Sequence, residues 1–540
     1  MSAFNSLPLD IIIEIIGETI RLPFVDPAAW TFAFSVAGVN RLWRRVALRR
    51  LFGSAFINNF VDIETHLFGF NQTNNWSTNV HCIQMLGHSA LVRDIDIHVY
   101  NFFSLRSVFD QIFSILQGGQ MDRWANLIRL TISISHYELE GNVVPLFIAP
   151  VGDNVDPNET CRWIGRFMPR ITELVVDTRD TPADFLASCL VDLYGQQLRV
   201  IKSRSPLDLS NPHLSTQLRS LAVAIDYDNG MLFPLVTANT LESLCLYKAP
   251  PNFSWRQFWE EKSASKQIIF SNLRNLEIVF GTGSLSNNNS SSSNSHGSGN
   301  QNHFQLRFPS LKHMSTEFWY NSSDIICSES LPESLDYVRI WGFIKCVEHS
   351  FSVIPRHIGF LDIHMDEVED TELDQFYALT NRILDASVAE YYSLTFHNSF
   401  FHFDLDRVGW FSLRKLVVLR VSMELAVSIL EKLALLEAFH INYLVIDKEY
   451  TNEVWPESLG DRLPELSPFN SRVNYLGLIC SKDFNHGLLI PQVFYYFMLR
   501  LHALERLYVN DDNDIFCRAF IGRYGGQYEH LNNIGVFKRR

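Results

Sequence analysis

The chain of 540 residues is without several features that would settle its class at once. No apolar run approaches the roughly 18 residues of a membrane-spanning helix. The stretch Ile11 to Ile16 is short and contains Glu14. The opening residues do not give a basic segment, an apolar core and a small-residue cleavage site in that order, so no secretory leader is expected. Positive charge is scarce: 45 Lys and Arg against 59 Asp and Glu leave a net charge of −14. That argues against a nucleic-acid partner, since phosphate binding needs a basic footprint. The eight cysteines, at 82, 161, 189, 245, 327, 346, 480 and 517, form no Cys-x-x-Cys pair. They read as reduced, buried thiols, and an intracellular protein is expected, cytoplasmic, nuclear or both.

Motifs of chemistry are absent as well. There is no His-Glu-x-x-His, phosphate loop, Gly-x-Ser-x-Gly elbow or Cys/His cluster at metal spacing. Gly281-Thr282-Gly283 runs into a Ser/Asn tract, not the helix that a dinucleotide fingerprint requires. Asp511, Asp512 and Asp514 lack the Gly and closing Glu of a calcium loop. No catalytic, cofactor-binding or metal residue is therefore assigned, and no membrane partner is expected. An enzyme built from residues distant in sequence stands as the third functional class.

What the chain does have is core material: 47% apolar residues and 13% aromatics, among them 41 Phe. Its length suits three or four domains or one elongated repeat array. From about residue 90 onward one pattern recurs: apolar, two variable residues, apolar, one variable residue, apolar. Clear copies begin at Leu127, Ile171, Leu218, Leu241, Leu273, Leu335, Ile358, Ile441, Val473 and Leu504, and weaker ones at Leu91, Leu198, Leu311, Tyr391 and Leu416. The last three apolar positions have the period of a strand with one buried face. Helix-like text separates some copies, as at Leu373 to Leu379 and Leu425 to Leu433. Strand and helix in alternation predict an α/β fold with a parallel sheet. The repeats resemble an irregular leucine-rich-repeat solenoid, which implies helices along its convex side and an extended binding face. A non-repetitive α/β protein is the competing reading.

Residues 281–302 are a low-complexity Gly/Ser/Asn insert, expected to be a disordered loop. The acidic residues Asp366, Glu367, Glu369, Asp370 and Glu372 read as a solvated face.

The first fifty residues are different. Ser6 and Pro8 suit a helix start, and Ile11, Ile12, Ile15 and Ile16 make an apolar stripe at helical spacing. Pro23 and Pro27 end that helix; a second is expected from about Ala28 to Ala37 and a third from Val39 to Leu51. Three short helices cannot enclose all these apolar side chains by themselves, so part of the surplus meets the following domain or another protein. Arg41, Arg44, Arg45, Arg49 and Arg50 read as the solvated face of the third helix.

Leu7-Pro8-Leu9-Asp10-Ile11-Ile12, continued by Ile15-Ile16 and later by Val39-Asn40-Arg41-Leu42-Trp43-Arg44-Arg45-Val46-Ala47, resembles an F-box. Asn40 stands where the family often has Cys, and residues 21–31 are longer and richer in Pro than usual. The resemblance implies a three-helix module that binds the Skp-type adaptor of cullin–RING (SCF) ubiquitin ligases. Leu7, Pro8, Ile11, Ile12, Ile15, Ile16, Val39 and Trp43 are the residues it assigns to the adaptor interface or its supporting core. The expected domains are 1–57 for this module, 58–515 for the repeats and 516–540 for a tail or cap. The expected function is a substrate receptor that holds an unknown protein client and makes no bonds itself. The alternative is a repeat scaffold whose N-terminal helices only cap the solenoid.

Overall fold

The computed structural model describes residues 41–60, 75–80, 86–99, 124–134, 157–178, 181–207, 217–224, 238–249, 267–280, 305–317, 330–365, 372–386, 388–396, 408–445, 468–469, 471–478, 500–509, 528–531 and 536–539, with residues 83, 405 and 497. The helices expected before Arg41 and the insert 281–302 lie outside these residues, as do Asp366 to Asp370 and Asp511 to Asp514. The chain divides into two compact units: Met1–Leu273 with Gly281–Gln305, and Arg274–Phe280 with Leu306–Arg540.

The first unit opens with helix α1 (Arg41–Phe52) and runs directly into β1 (Ser54–Phe60). Then come β2 (Asn75–Thr78), β3 (Asp94–Val99), β4 (Arg129–Ile134), α2 (Pro157–Phe167), β5 (Glu173–Thr178), α3 (Thr181–Tyr194), β6 (Val200–Pro206), β7 (Ser220–Ala224) and β8 (Ser243–Ala249). Strands β1, β3, β4, β5, β6, β7 and β8 pair in that order, all parallel, while β2 lies antiparallel on the other side of β1. The strand β1 thus crosses the boundary expected at residue 57 and belongs to the sheet.

The second unit holds β9 (Asn275–Phe280), β10 (His313–Glu317), β11 (Ser334–Gly342), α4 (Ile344–Val353), β12 (His357–Met365), α5 (Leu373–Asp385), β13 (Ala389–Phe396), β14 (Leu413–Ser422), α6 (Met423–Lys432), β15 (Ala438–Val445), β16 (Tyr475–Leu478) and β17 (Arg506–Val509). From β9 to β17 each strand pairs parallel with the next in chain order. A final antiparallel hairpin, β18 (Tyr528–Leu531) and β19 (Val536–Arg539), pairs with the edge of β17. Both units therefore have the α/β class with large parallel sheets and few described helices.

The repeated apolar positions explain the pairing. Ile95, Leu130, Leu174, Ile201, Leu221 and Leu244 stand opposite one another on successive strands, and all are buried. Just before most of the parallel strands the backbone makes a repeated joint, in which two consecutive N–H groups share one carbonyl of the previous strand's entry. Arg93 and Asp94 donate to Gly53 O, Ile128 and Arg129 to Arg93 O, and Thr172 and Glu173 to Ile128 O, at 2.7–3.2 Å. The same joint recurs at Lys312 and His313 on Arg274 O, and at Glu505 and Arg506 on Asn474 O. Side chains at these joints also pair across the step, as in Arg219–Glu242, Lys312–Asp336 and Arg414–Glu437, at 3.1–3.5 Å. These are exposed pairs and set register more than they add stability.

The helix-like text at Leu373 and Leu425 falls in α5 and α6. Ser422 ends β14 and caps α6, its hydroxyl accepting from Leu425 N at 3.3 Å. Helix α5 covers the apolar side of the sheet, where Phe376 meets Phe396 edge-on at 5.1 Å. Some expected copies are displaced. At Ile441 the copy in register is Leu436, Phe439 and Ile441; at Tyr391 the buried residue is Tyr392; at Leu91 it is Val92. In each string adjacent apolar residues satisfied the pattern in more than one way, and the neighbouring strand chooses between them. Among the described residues no helix is long and apolar enough to cross a membrane.

Candidate functional site

Of the eight residues that the F-box resemblance singles out, Trp43 is described; Leu7, Pro8, Ile11, Ile12, Ile15, Ile16 and Val39 lie outside the described residues. Trp43 sits on α1 and is 6% exposed. With Ala47 one turn later it forms the buried stripe of the helix, which packs on β1 and the short turn Ser89–Leu91. The opposite side exposes Arg41, Arg44, Arg45 and Arg49 to solvent. Trp43 is therefore a core side chain of this unit.

The richest side-chain arrangement lies on the polar side of the second unit's sheet. Strand periodicity turns alternate residues of β11 to β14 to this side. Register places Tyr337, Phe360 and Tyr391 in one cross-strand row. A second row holds Arg339, Asp362, Ser393 and Lys415, and a third holds Trp341, His364, Thr395 and Val417. The first row is aromatic, with Tyr337 stacked on Phe360 at 5.8 Å. A register shift between Tyr392 and Ser393 leaves β14 with one extra residue, Arg414, whose guanidinium lies 3.5 Å from the centre of the Tyr391 ring. A bulge re-aims a side chain in this way.

Asp362 is the hub of the second row and is 7% exposed. Its Oδ2 accepts from the Tyr337 hydroxyl at 3.1 Å, and lies 3.3 Å from His364 Nε2 and 3.6 Å from Arg339 Nε. Burial raises the Asp362 pKa, but the hydrogen bond from His364, the charge of that ring and the Tyr337 hydroxyl outweigh it and hold the carboxyl down to about 2. The same contact, added to burial, pushes the Tyr337 hydroxyl up to about 12. His364 Nε2 also lies 3.4 Å from Arg339 Nη2. One ring nitrogen cannot serve both neighbours, so an Nε2–H that donates to Asp362 leaves Arg339 Nη2 without an acceptor there. Ser393 stands opposite Asp362, and its hydroxyl also helps to lower the Asp362 pKa. Asp362 Oδ1, Ser393 Oγ and Thr395 Oγ1 are buried without a partner among the described residues.

A second aromatic cluster occupies β15 to β17. The His440 ring stacks with Tyr475 at 6.5 Å and Tyr508 at 5.8 Å. It lies across Gly477, where any Cβ would collide with it. Burial lowers the His440 pKa, helped by the Lys415 charge and opposed by a hydrogen bond with Asn442. A histidine depressed in the folded state takes up its proton more readily when unfolded, so stability falls as pH drops through the unfolded value near 6.5. The melting temperature is expected to decrease between pH 7.5 and 5.5, and the slope to become shallower in His440→Asn. An unchanged slope in that variant would remove His440 from the account.

Sequence reasoning placed Tyr337, Arg339, Phe360 and Asp362 inside recognised copies but gave their variable positions no role. The available signal was positional: Arg339 and Asp362 occupy the same variable place in consecutive copies, and parallel strands set such places side by side. Among the described residues no group of three or more His, Cys, Asp or Glu is arranged to hold a metal ion. A scan against models of known protein families finds no match, and a search of curated proteins finds none.

Proposed function

We propose that the chain is the substrate-recognition subunit of a cullin–RING ubiquitin ligase of the SCF type. Its parallel ladders are read as an irregular leucine-rich-repeat solenoid, its first fifty-odd residues as an F-box that docks on a Skp-type adaptor. The client is a protein held on the polar side of the sheet. The chain performs no bond chemistry; it raises the client's effective concentration beside the ubiquitin-loaded enzyme, acting in the cytoplasm, the nucleus or both. The observation that carries this reading is a succession within one chain. F-box-like residues end on α1, and a parallel sheet follows whose polar side offers aromatic and charged groups to a partner. Cys161, Cys189 and Cys245 are not joined in disulfides, which suits a reducing compartment.

The scaffold reading also has an observation in its favour. Trp43 is buried and α1 runs without a linker into β1, as a helix that merely closes the end of a sheet would do. Pull-down of the full chain with purified Skp-type adaptor separates the two. Under the receptor reading the wild type binds, and Leu42→Glu, at a 39% exposed position of α1, weakens capture at least tenfold with unchanged melting. No capture by folded wild type sinks the receptor reading and leaves the scaffold.

A further inference from the structure

The polar rows of β11 to β14 leave two cations with unused bonding capacity. The Arg339 guanidinium is held between Asp362, 3.6 Å from Nε, and the Trp341 ring, 5.0 Å away. Neither of these is a forked carboxylate pair, the acceptor that a guanidinium matches best. Asp362 Oδ2 already takes the Tyr337 hydroxyl, and Arg339 Nε has no hydrogen-bond partner among the described residues. The Arg339 side chain is nevertheless 40% exposed. Lys415, three strands along the same row, is exposed and has no acidic partner among the described residues. Arg414, beside it, is by contrast matched to Glu437 at 3.1 Å. Arg339 is ion-paired with Asp362, while Lys415 stands on the same face with no acidic partner among the described residues, in a chain with a net charge of −14.

Their spacing can be read from the register. Arg339, Asp362, Ser393 and Lys415 are successive partners, so three strand steps of about 4.8 Å separate the cations by about 14 Å. An extended peptide covers that span in about four residues, at roughly 3.3–3.6 Å each. The neighbouring row of Tyr337, Phe360 and Tyr391 offers aromatic surface to whatever lies between.

We propose that this face binds an extended acidic peptide segment running across the strands, with two carboxylates four residues apart, one forked onto Arg339 and the other paired with Lys415. Asp362 is the positioning residue that keeps the Arg339 fork turned outward. The proposal rests on the client-binding half of the reading above and not on the adaptor half.

The test is fluorescence anisotropy with the full chain and a labelled, end-blocked peptide Gly-Glu-Val-Ser-Val-Glu-Gly, beside a twin with Gln for both Glu and a short form with Glu-Val-Glu spacing. The Glu peptide is expected to bind at least tenfold more tightly than either control, with affinity falling as salt rises. Arg339→Gln and Lys415→Gln are each expected to weaken it about tenfold and to flatten the salt dependence. Lys415 is exposed, so its variant keeps the test meaningful even where Arg339→Gln folds poorly. Equal binding of the Gln twin, wild-type binding by the Lys415 variant, or no saturation at millimolar peptide overturns the proposal. Failure of the adaptor pull-down alone leaves it standing, which separates the two readings.

Discussion

Trp43→Ala is expected to destabilise the first unit by about 3–5 kcal/mol, the usual cost of removing a large aromatic from a packed core. Its ring is 6% exposed, and Ala47 beside it on α1 is fully buried, so the void has no small neighbour ready to fill it. The helix itself has modest intrinsic support, since four arginines crowd its exposed side and no acidic residue lies in its first turn. The expected readout is a lower melting temperature together with early proteolysis near Arg41–Phe52. A melting curve unchanged from wild type would mean that Trp43 is not a core residue and would return it to the list of adaptor contacts. In consequence, loss of adaptor capture by a Trp43 variant cannot by itself identify an interface, and Leu42→Glu is the better probe.

Gly359→Ala is expected to cost about 3 kcal/mol, at the upper end of the penalties for overfilling a packed site. A Cβ at this position would stand 2.8 Å from the Asp336 carbonyl oxygen and 3.6 Å from its carbonyl carbon. The obstacle is backbone, fixed in turn by the hydrogen bond of Asp336 N to Lys312 O, so relief requires β11 and β12 to move apart. The contrast is Gly165, where an added Cβ meets only the ends of the Leu193 side chain, which is exposed and turns away at little cost. Gly165→Ala is accordingly expected to melt within about a degree or two of wild type, a surface-like effect. Because Phe360 and Asp362 share a strand with Gly359, the Gly359 variant should also lose affinity for the acidic peptide. Equal melting of the two variants would show that the β11–β12 spacing is softer than its register implies.

The sequence pattern located most of the parallel strands and was insufficient for the site, for one physical reason. A buried face imposes period 2 on its own strand, so Leu335, Val338 and Ile340 declare themselves without reference to any neighbour. Register is a relation between strands, and nothing in either strand alone states it. Arg339 and Asp362 meet because Val338 faces Leu361 and Ile340 faces Ile363. Where apolar residues adjoin, as with Tyr391 and Tyr392, the pattern tolerates a slip of one residue, and that slip exchanges the polar and buried sides. Here it decides whether Tyr391 belongs to the core or lies under Arg414, and the structure puts it under Arg414. The bulge that brings Arg414 there has no signature in composition or spacing.

The joint in which two N–H groups share one carbonyl couples each strand entry to the preceding one alone. Asn275 and His313 pair in register although 37 residues separate them, and residues 281–302 fall within that interval. The sheet takes no account of how long the chain between two entries is, beyond a slowly growing closure entropy. Lengthening or shortening that tract therefore leaves every hydrogen-bond partner of β9 and β10 unchanged, and a fluorescent reporter or affinity tag inserted there should be carried without displacing a strand.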